Sequence, residues 1–337
     1  MAQQLRHTVV QRKNDPYIYL YVMGEWYCYN PQEPPLGSGA MGDVYKGYRC
    51  KNGAVIAVKR VKDFYANNKM IRERARLEAS LAFRHPNLVE MIGCCEYAPD
   101  NGPIFILSHF VQGIDIDKYV KSFADLPNRV EKICNAICYV LDALDYVHSR
   151  GVIHRDIKPS NIMVENGSNV RLMDLGISRM NGGNKFSSFG FIGTPQYSAP
   201  EQIKRNEGNT ANPINATTDI YELGITFYEL LTGENPMDGE SEAETLARQI
   251  SEPLPANPAI PKKLMNVIWK ATEKEQSKRY QTALEFKNAI NSALLPDPPF
   301  SERVSNWMQN HLFVSVSIIV FIAALFFLII LLVTNLI

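Results

Sequence analysis

Cysteine is scarce and net charge is absent. The 337 residues hold six cysteines, at positions 28, 50, 94, 95, 134 and 138. They are too few and too scattered for a small disulfide-stapled domain. Cys134 and Cys138 stand four apart on a helix-like stretch. No His or Cys pair nearby completes a zinc site, so both read as packing thiols. Lys+Arg and Asp+Glu number 35 each. Zero net charge without a long basic run excludes electrostatic recruitment of nucleic acid. The opening MAQQLRHTVVQRKND has no long apolar core, which excludes a secretory signal. There is no internal repeat and no low-complexity tract. With 46% apolar and 21% charged residues the composition is that of a folded chain.

One long hydrophobic run is present. LFVSVSIIVFIAALFFLIILLV, Leu312 to Val333, carries no charge. At the helical rise it spans roughly 33 Å, enough to cross a bilayer core. A buried core helix would keep a polar face, and here only Ser315 and Ser317 are polar. The run predicts a transmembrane helix over 312–333, reached through a proline-containing linker at 296–311. The expectation is a single-pass, C-terminal tail anchor in a lipid bilayer.

The rest predicts an α+β chain. Residues 1–32 form an N-terminal extension whose YIYLYVMGEWYCY reads as an extra strand. Residues 33–110 read as strands with one charged helix near 67–83. Residues 111–295 are mainly helical. In RVEKICNAICYVLDALDYVHSRG, Ile133, Ile137, Leu141, Leu144 and Val147 make one apolar face. Asn128 with Glu131 predicts a capping box there, and Gly151 a stop. TDIYELGITFYELLTG predicts a buried helix ending at Gly233, and Thr282 with Glu285 caps a last helix.

Chemistry concentrates in four places. GSGAMGDV sets Gly37, Gly39 and Gly42 in a G-x-G-x-x-G pattern, with Val44 following. Glycines let backbone amides approach phosphate. A dinucleotide fold would continue into a helix. Here DVYKGYRC continues as a strand, which fits a two-stranded flap over phosphates. Lys59 interrupts the apolar strand VIAVKR and must snorkel or pair. Glu73 and Glu78 of the following helix both qualify as partner, with Glu78 preferred. HRDIKPSN crowds Asp156, Lys158 and Asn161 into one loop, and Asp174 follows in LMDLG. Hard cations take oxygen ligands, so Asn161 and Asp174 suit magnesium. Asp156 is placed to accept a proton from an attacking hydroxyl. Lys158 is placed to neutralise charge on a transferring phosphoryl group.

GSGAMGDV, VIAVK, HRDIKPSN, DLG and APE stand in one order over roughly residues 33–294. Together they resemble the protein kinase catalytic domain. DIKPSN and GTPQYSAPEQ resemble its bacterial-type Ser/Thr class. The resemblance implies a two-lobed fold, with a small β-rich lobe (33–110) and a larger helical lobe (111–295). It implies transfer of the ATP γ-phosphoryl group to protein hydroxyls, with Mg2+ or Mn2+ as metal. Lys59 would hold the α- and β-phosphates, Asp156 would be the base, and Asn161 and Asp174 the metal ligands. The glycines would cover the phosphates, and His109 and Val111 would bond adenine through their backbones. Ser108 would be a small gatekeeper. Glu201 would pair with Arg279, and Asp219 would anchor the catalytic loop. His154 would be structural. Leu175 stands where the family has phenylalanine, and Glu78 falls closer to HPN than the family's helix glutamate.

In this family the arginine before the base, here Arg155, often receives a phosphate from the activation segment. Ser187 and Ser188 are the expected autophosphorylation sites, and Thr194 the contact to the substrate loop. ATP use and the missing signal put the kinase domain on the cytoplasmic side. The expected partners are protein substrates, the bilayer and a second copy through the span. A membrane-bound pseudokinase scaffold is the alternative. The full set of Lys59, Asp156, Asn161 and Asp174 argues against it.

Overall fold

The computed structural model describes residues 9–39, 42–63, 72, 73, 76, 83–96, 102–174, 194–206 and 212–296. It also describes residues 301, 305, 307, 309–311, 316, 321, 322 and 325. Met1–Leu294 form one compact unit and Leu295–Ile337 a second.

Period-two alternation lays out the first sheet. In β2 (Ile18–Val22) and β3 (Glu25–Tyr29), Leu20, Val22, Tyr27 and Tyr29 are buried while Tyr21 and Trp26 face out. Val22 pairs with Glu25 across a two-residue turn. Its Met23 and Gly24 have φ of 49° and 85°, the positive values that such tight hairpins require. Thus YIYLYVMGEWYCY forms a hairpin rather than a single strand, and β1 (Val9–Gln11) pairs with its outer edge.

β3 pairs with β5 (Gly42–Arg49), which also pairs with the short β4 (Gly37–Ser38) and with β6 (Val55–Val61). β7 (Met91–Glu96) and β8 (Ile104–His109) complete an antiparallel sheet in the order β1-β2-β3-β5-β6-β8-β7. The sheet curls, so that β2 meets β7. A Cβ on Gly93 would lie 2.7 Å from Val22 Cγ1. The hairpin residues Leu20, Val22, Tyr27 and Tyr29 share one core with Ile56, Val58, Cys95, Phe105 and Leu107. Residues 9–29 are therefore built into the small lobe. The helix expected near 67–83 lies mostly outside the described residues, among which Arg72, Glu73 and Arg76 are helical.

The large lobe opens with β9 (Gly113–Asp115), which joins β10 (Ile162–Glu165) and β11 (Asn169–Leu172) in a small sheet. Asp115 caps α1 (Ile116–Lys121). α2 (Arg129–His148) buries Ile133, Ile137, Leu141, Leu144 and Val147 completely, as its periodicity predicts. The capping box expected at its start is not made. Asn128 has φ −96° and ψ 19° and makes no side-chain cap bond. The extended backbone that aims a capping side chain at the first turn is absent there. Gly151, at φ 74°, turns the chain away just past the helix.

α3 (Pro200–Asn206) leads to α4 (Ala216–Thr232), which is buried nearly all round and ends at Gly233 with φ 86°. A helix apolar on every side belongs in the middle of a lobe. α5 (Glu242–Ser251), α6 (Lys262–Ala271) and α7 (Ala283–Leu294) surround this core. At α7 Thr282 Oγ accepts from Glu285 N, while the Glu285 carboxylate reaches Gln281 N, one residue before the expected partner. Cys134 and Cys138 lie in the α2 core face, where burial pushes their thiols up to about 12 and about 11.

In the second unit most of the described residues are helical, and Trp307, Val316, Phe321, Ile322 and Leu325 are exposed. Among the described residues no helix is long and apolar enough to cross a membrane. The run expected to span, 312–333, falls mostly outside them.

Because Leu20 is wholly buried in the shared core, Leu20→Ala should lower stability by about 2–5 kcal/mol in urea unfolding. A change below about 0.5 kcal/mol, the range of surface substitutions, would mean that the hairpin is not part of the small-lobe core.

Candidate active site

The site is built outward from α4. This helix is apolar except at a few positions, and two of its carboxylates point at one loop. Asp219 Oδ2 accepts from His154 N at 2.8 Å and Asp219 Oδ1 from Arg155 N at 2.7 Å. Glu222 Oε2 accepts from Ile157 N at 2.8 Å. Asp219 also bonds His148 Nε2 at 2.7 Å. Burial would raise the Asp219 carboxyl, but the bond and charge of His148, the His154 ring and the Arg155 amide bring it below its usual range. His154 is fully buried, with Nε2 on Met173 O at 2.8 Å. Burial lowers its pKa, against the opposing pull of Asp219. Arg155 takes φ 67°, a left-handed backbone imposed on a non-glycine residue, and Gln202 Nε2 caps its carbonyl at 3.2 Å.

This anchoring presents the next residues together. Asp156 Oδ2 lies 3.1 Å from Lys158 Nζ. Asn161 Nδ2 donates to Asp156 O at 2.7 Å and to Asp156 Oδ2 at 3.1 Å. Thr194 Oγ donates to Asp156 Oδ1 at 3.0 Å and accepts from Lys158 Nζ at 2.9 Å. Thr194, expected to touch a substrate loop, thus sits on the carboxylate itself. Met173 N donates to Asn161 O at 2.9 Å, and Asp174 follows at φ 48°. Asp174 Oδ2 pairs with Lys59 Nζ at 3.3 Å, so one ion pair joins β6 to the loop after β11.

Asn161 spends its amide nitrogen on Asp156, which leaves its Oδ1 as an oxygen donor, and Asp174 follows Met173, whose N–H bonds the Asn161 carbonyl. Both side chains offer hard donors of the kind magnesium takes. Among the described residues no three or more His, Cys, Asp or Glu stand together as a metal cage. A cation held by Asn161 and Asp174 would keep positions for phosphate oxygens and water, the usual magnesium arrangement.

The flap is formed by Gly37 and Ser38 pairing with Val44 and Asp43, and Gly39 N donates to Gly42 O at 2.9 Å. A Cβ at Gly42 would lie 2.5 Å from Arg60 O, so β5 and β6 require glycine there. His109 N is committed to Glu90 O at 2.9 Å, so a ligand bond at His109 must use its carbonyl. Val111 follows, half-buried. Of the two glutamates considered for Lys59, Glu73 is exposed and Glu78 lies outside the described residues, as do Leu175, Ser187 and Ser188.

Glu201 and Arg279 meet in a bidentate pair at 2.8 and 2.9 Å, both fully buried. Thr218 Oγ also donates to Glu201, and Arg279 bonds the carbonyls of Thr217, Glu273 and Lys274. Sequence reasoning missed Glu222, Gln202 and the Tyr197–Glu229 bond at 2.7 Å. The signal for Glu222 and Glu229 was present as acidic letters inside an apolar helix, where a charge needs a buried partner.

Comparisons with known proteins agree with this geometry. A family profile described as the protein kinase domain matches residues 31–296. "Probable serine/threonine-protein kinase PknB" of Lactococcus lactis is 30% identical over 277 residues, covering 80% of this chain and 42% of that protein. "Serine/threonine-protein kinase PrkC" of Bacillus subtilis is 30% identical over 269 residues, covering 78% and 40%. "Serine/threonine-protein kinase PknB" of Mycobacterium tuberculosis is 31% identical over 280 residues, covering 80% and 43%. The chain spans about two fifths of the length of these relatives. In fold it is like the crystal structure of the Mycobacterium tuberculosis PknI kinase domain. The TM-score is 0.60 at 24% identity, over 84% of this chain and 99% of that one. The chain belongs to the protein kinase family.

Removing one side of a fully buried ion pair strands the other. Arg279→Met should therefore lower stability by about 3–5 kcal/mol in denaturant unfolding. A loss under about 1 kcal/mol would show that the pair behaves like a surface one.

Proposed function

We propose that this chain is an ATP-dependent serine/threonine protein kinase, held at a membrane by residues 312–333. The carrying observation is the meeting of Asp156, Lys158, Asn161 and Thr194 within 3.1 Å in one anchored cluster. A threonine hydroxyl already reaches both the carboxylate and the ammonium there. An acceptor hydroxyl in that place would give its proton to Asp156 as its oxygen attacks the γ-phosphorus, while the bond from that phosphorus to the β,γ-bridging oxygen breaks and ADP leaves. Lys158 would neutralise charge on the phosphoryl oxygens in flight. Lys59 would hold the α- and β-phosphates, with Glu78 assigned to steady it.

Gly37, Gly39, Gly42 and Val44 would close over the nucleotide, and the His109 carbonyl and the Val111 backbone would bond adenine. Asn161 and Asp174 would hold Mg2+, and Mn2+ suits the same oxygens. When bound, the metal neutralises phosphate charge. Lys158, two residues after Asp156, and the serine/threonine kinases among the relatives support hydroxyls of Ser and Thr as acceptors. Autophosphorylation at Ser187 or Ser188, answered by Arg155, belongs to the same reading. So do protein substrates and a homodimer formed through the span.

The membrane reading rests on the uncharged run from Leu312 to Val333 and on the exposure of Phe321 and Ile322. The kinase domain would face the cytoplasm, where ATP is. Nothing in the net charge supports a nucleic-acid partner.

Full chain in detergent, given labelled ATP and magnesium, should label itself and dephosphorylated casein. Asp156→Asn, Lys59→Ala and Asp174→Ala should each cut the rate by about 100-fold or more. Label should map to Ser187 or Ser188. A parent that labels nothing, or an Asp156→Asn variant as fast as the parent, would end the kinase reading.

The membrane reading has its own test. Full chain should float with liposomes in a density gradient, while a version ending at Asn310 stays at the bottom. Equal behaviour of the two would remove the span.

A further inference from the structure

One polar chain in the large lobe has no part in the chemistry described above, yet it ends on the segment beside Asp156. Gln249 on α5 is fully buried. Its Nε2 donates to the carbonyls of Gln196 at 2.5 Å and Pro195 at 3.3 Å. Asn235 Nδ2 donates to the same Gln196 carbonyl at 3.1 Å. Gln249 Oε1 accepts from Tyr221 Oη at 2.6 Å, and Tyr221 Oη accepts from Lys274 Nζ at 2.6 Å. Tyr221 is itself fully buried on α4, with the Lys274 and Arg279 cations 5.0 and 4.8 Å from its ring.

The direction of each link is fixed. A charged ammonium only donates and a backbone carbonyl only accepts. The single Tyr221 proton therefore goes to Gln249, with Oε1 at 2.6 Å and the backbone carbonyl at 3.4 Å, and two backbone carbonyls on Nε2 fix the orientation of the Gln249 amide. A fully satisfied chain of this kind in a low-dielectric interior holds one arrangement firmly.

What it holds is the turn Thr194–Tyr197, in which Tyr197 N bonds Thr194 O at 3.1 Å and Ser198 N bonds Pro195 O at 3.3 Å. A cavity of about 340 Å³ lies against this turn, lined by Lys158, Thr194, Gln196, Tyr197, Glu229 and Asn235 among others. Lys158 and Thr194 both touch Asp156. The cavity therefore opens beside the carboxylate, and Gln196 forms part of its wall. The same residue's carbonyl is gripped by Gln249.

We propose that Gln249 is a positioning residue for the acceptor peptide: it grips the Pro195 and Gln196 carbonyls and so fixes Gln196, which walls the cavity beside Asp156, and Tyr221 and Lys274 fix Gln249. This rests on the protein kinase reading of that site. Gln249 bonds no residue assigned to nucleotide or metal, so its effect falls on acceptor binding and leaves ATP binding alone.

The test compares full chain in detergent with Gln249→Met, which keeps length and loses every hydrogen bond of the amide. Amide exchange without nucleotide should quicken about tenfold at Tyr197 and Ser198, with α4 unchanged. With dephosphorylated casein as acceptor, KM for casein should rise about tenfold. KM for ATP and kcat should stay within about twofold.

Asn235→Asp removes the other donor to the same carbonyl from a loop position. It should give the same pattern more weakly, and it decides the matter if Gln249→Met does not fold. Unchanged exchange at Tyr197 and Ser198 overturns the proposal, as does a parallel rise in both KM values. A parent that phosphorylates no acceptor would refute the kinase reading instead. Exchange, which needs no turnover, would still show whether Gln249 holds the segment.

Discussion

Asp219 lies at 0% exposure and accepts two successive backbone amides, those of His154 and Arg155. One helical turn on, Glu222 takes the amide of Ile157. A loop that must present Asp156, Lys158 and Asn161 together cannot satisfy its own backbone in a helix or a sheet. Its N–H groups need acceptors from elsewhere, and α4 supplies them as carboxylates. Burying two acids in an apolar helix is costly unless each is fully bonded. The cost is offset because charge-assisted bonds to backbone amides are stronger than neutral ones. The left-handed φ of Arg155 is tolerated for the same reason: the bonds on either side of it leave no alternative.

The same solution recurs on the other side of α4. Glu201 and Arg279 are buried together with Thr218 and three backbone carbonyls. This ties the start of α3 to the segment before α7. The turn between Thr194 and α3 is thus pinned at both ends, by Asp156 and Lys158 at Thr194 and by Arg279 at Glu201. Between those pins Gln249 and Asn235 hold the carbonyls of Pro195 and Gln196. Beyond the two backbone bonds within the turn itself, the restraints that tie this stretch to the rest of the lobe run through side chains, so its conformation depends on the lobe being folded.

The small lobe is arranged by packing instead. A five-residue hairpin strand lays Leu20 and Val22 onto the same core as Phe105 and Leu107, and the sheet curls until Val22 meets Gly93. Lys59 projects from this sheet to Asp174, so its ammonium bridges β6 to the loop after β11. Glycine matters here for reach: at Gly42 the backbone of Arg60 is too close for any side chain.

Much of the chemistry was legible in the letters alone. HRDIKPSN and LMDLG put two carboxylates, a lysine and an amide at short spacing, and a lysine inside VIAVK had to snorkel or pair. The apolar periods of α2 and α4, and the stop at Gly233, were readable because local sequence sets helix phase and end. Three things were not. Asn128 looked like a cap, but its backbone angles are set by the turn before α2, so no capping bond forms. The pairing of Lys59 with Asp174, 115 residues away, was not foreseen either, while Glu78, the glutamate expected for Lys59, lies outside the described residues.

Glu222, Gln202 and Gln249 carried no motif, because each acts on a backbone group that only the fold brings within 3.3 Å. Sequence determined which polar groups gather at the candidate site, since that depends on residue type and short spacing. Tertiary structure decided what holds them in place, since a buried hydrogen bond depends on where two distant segments come to rest.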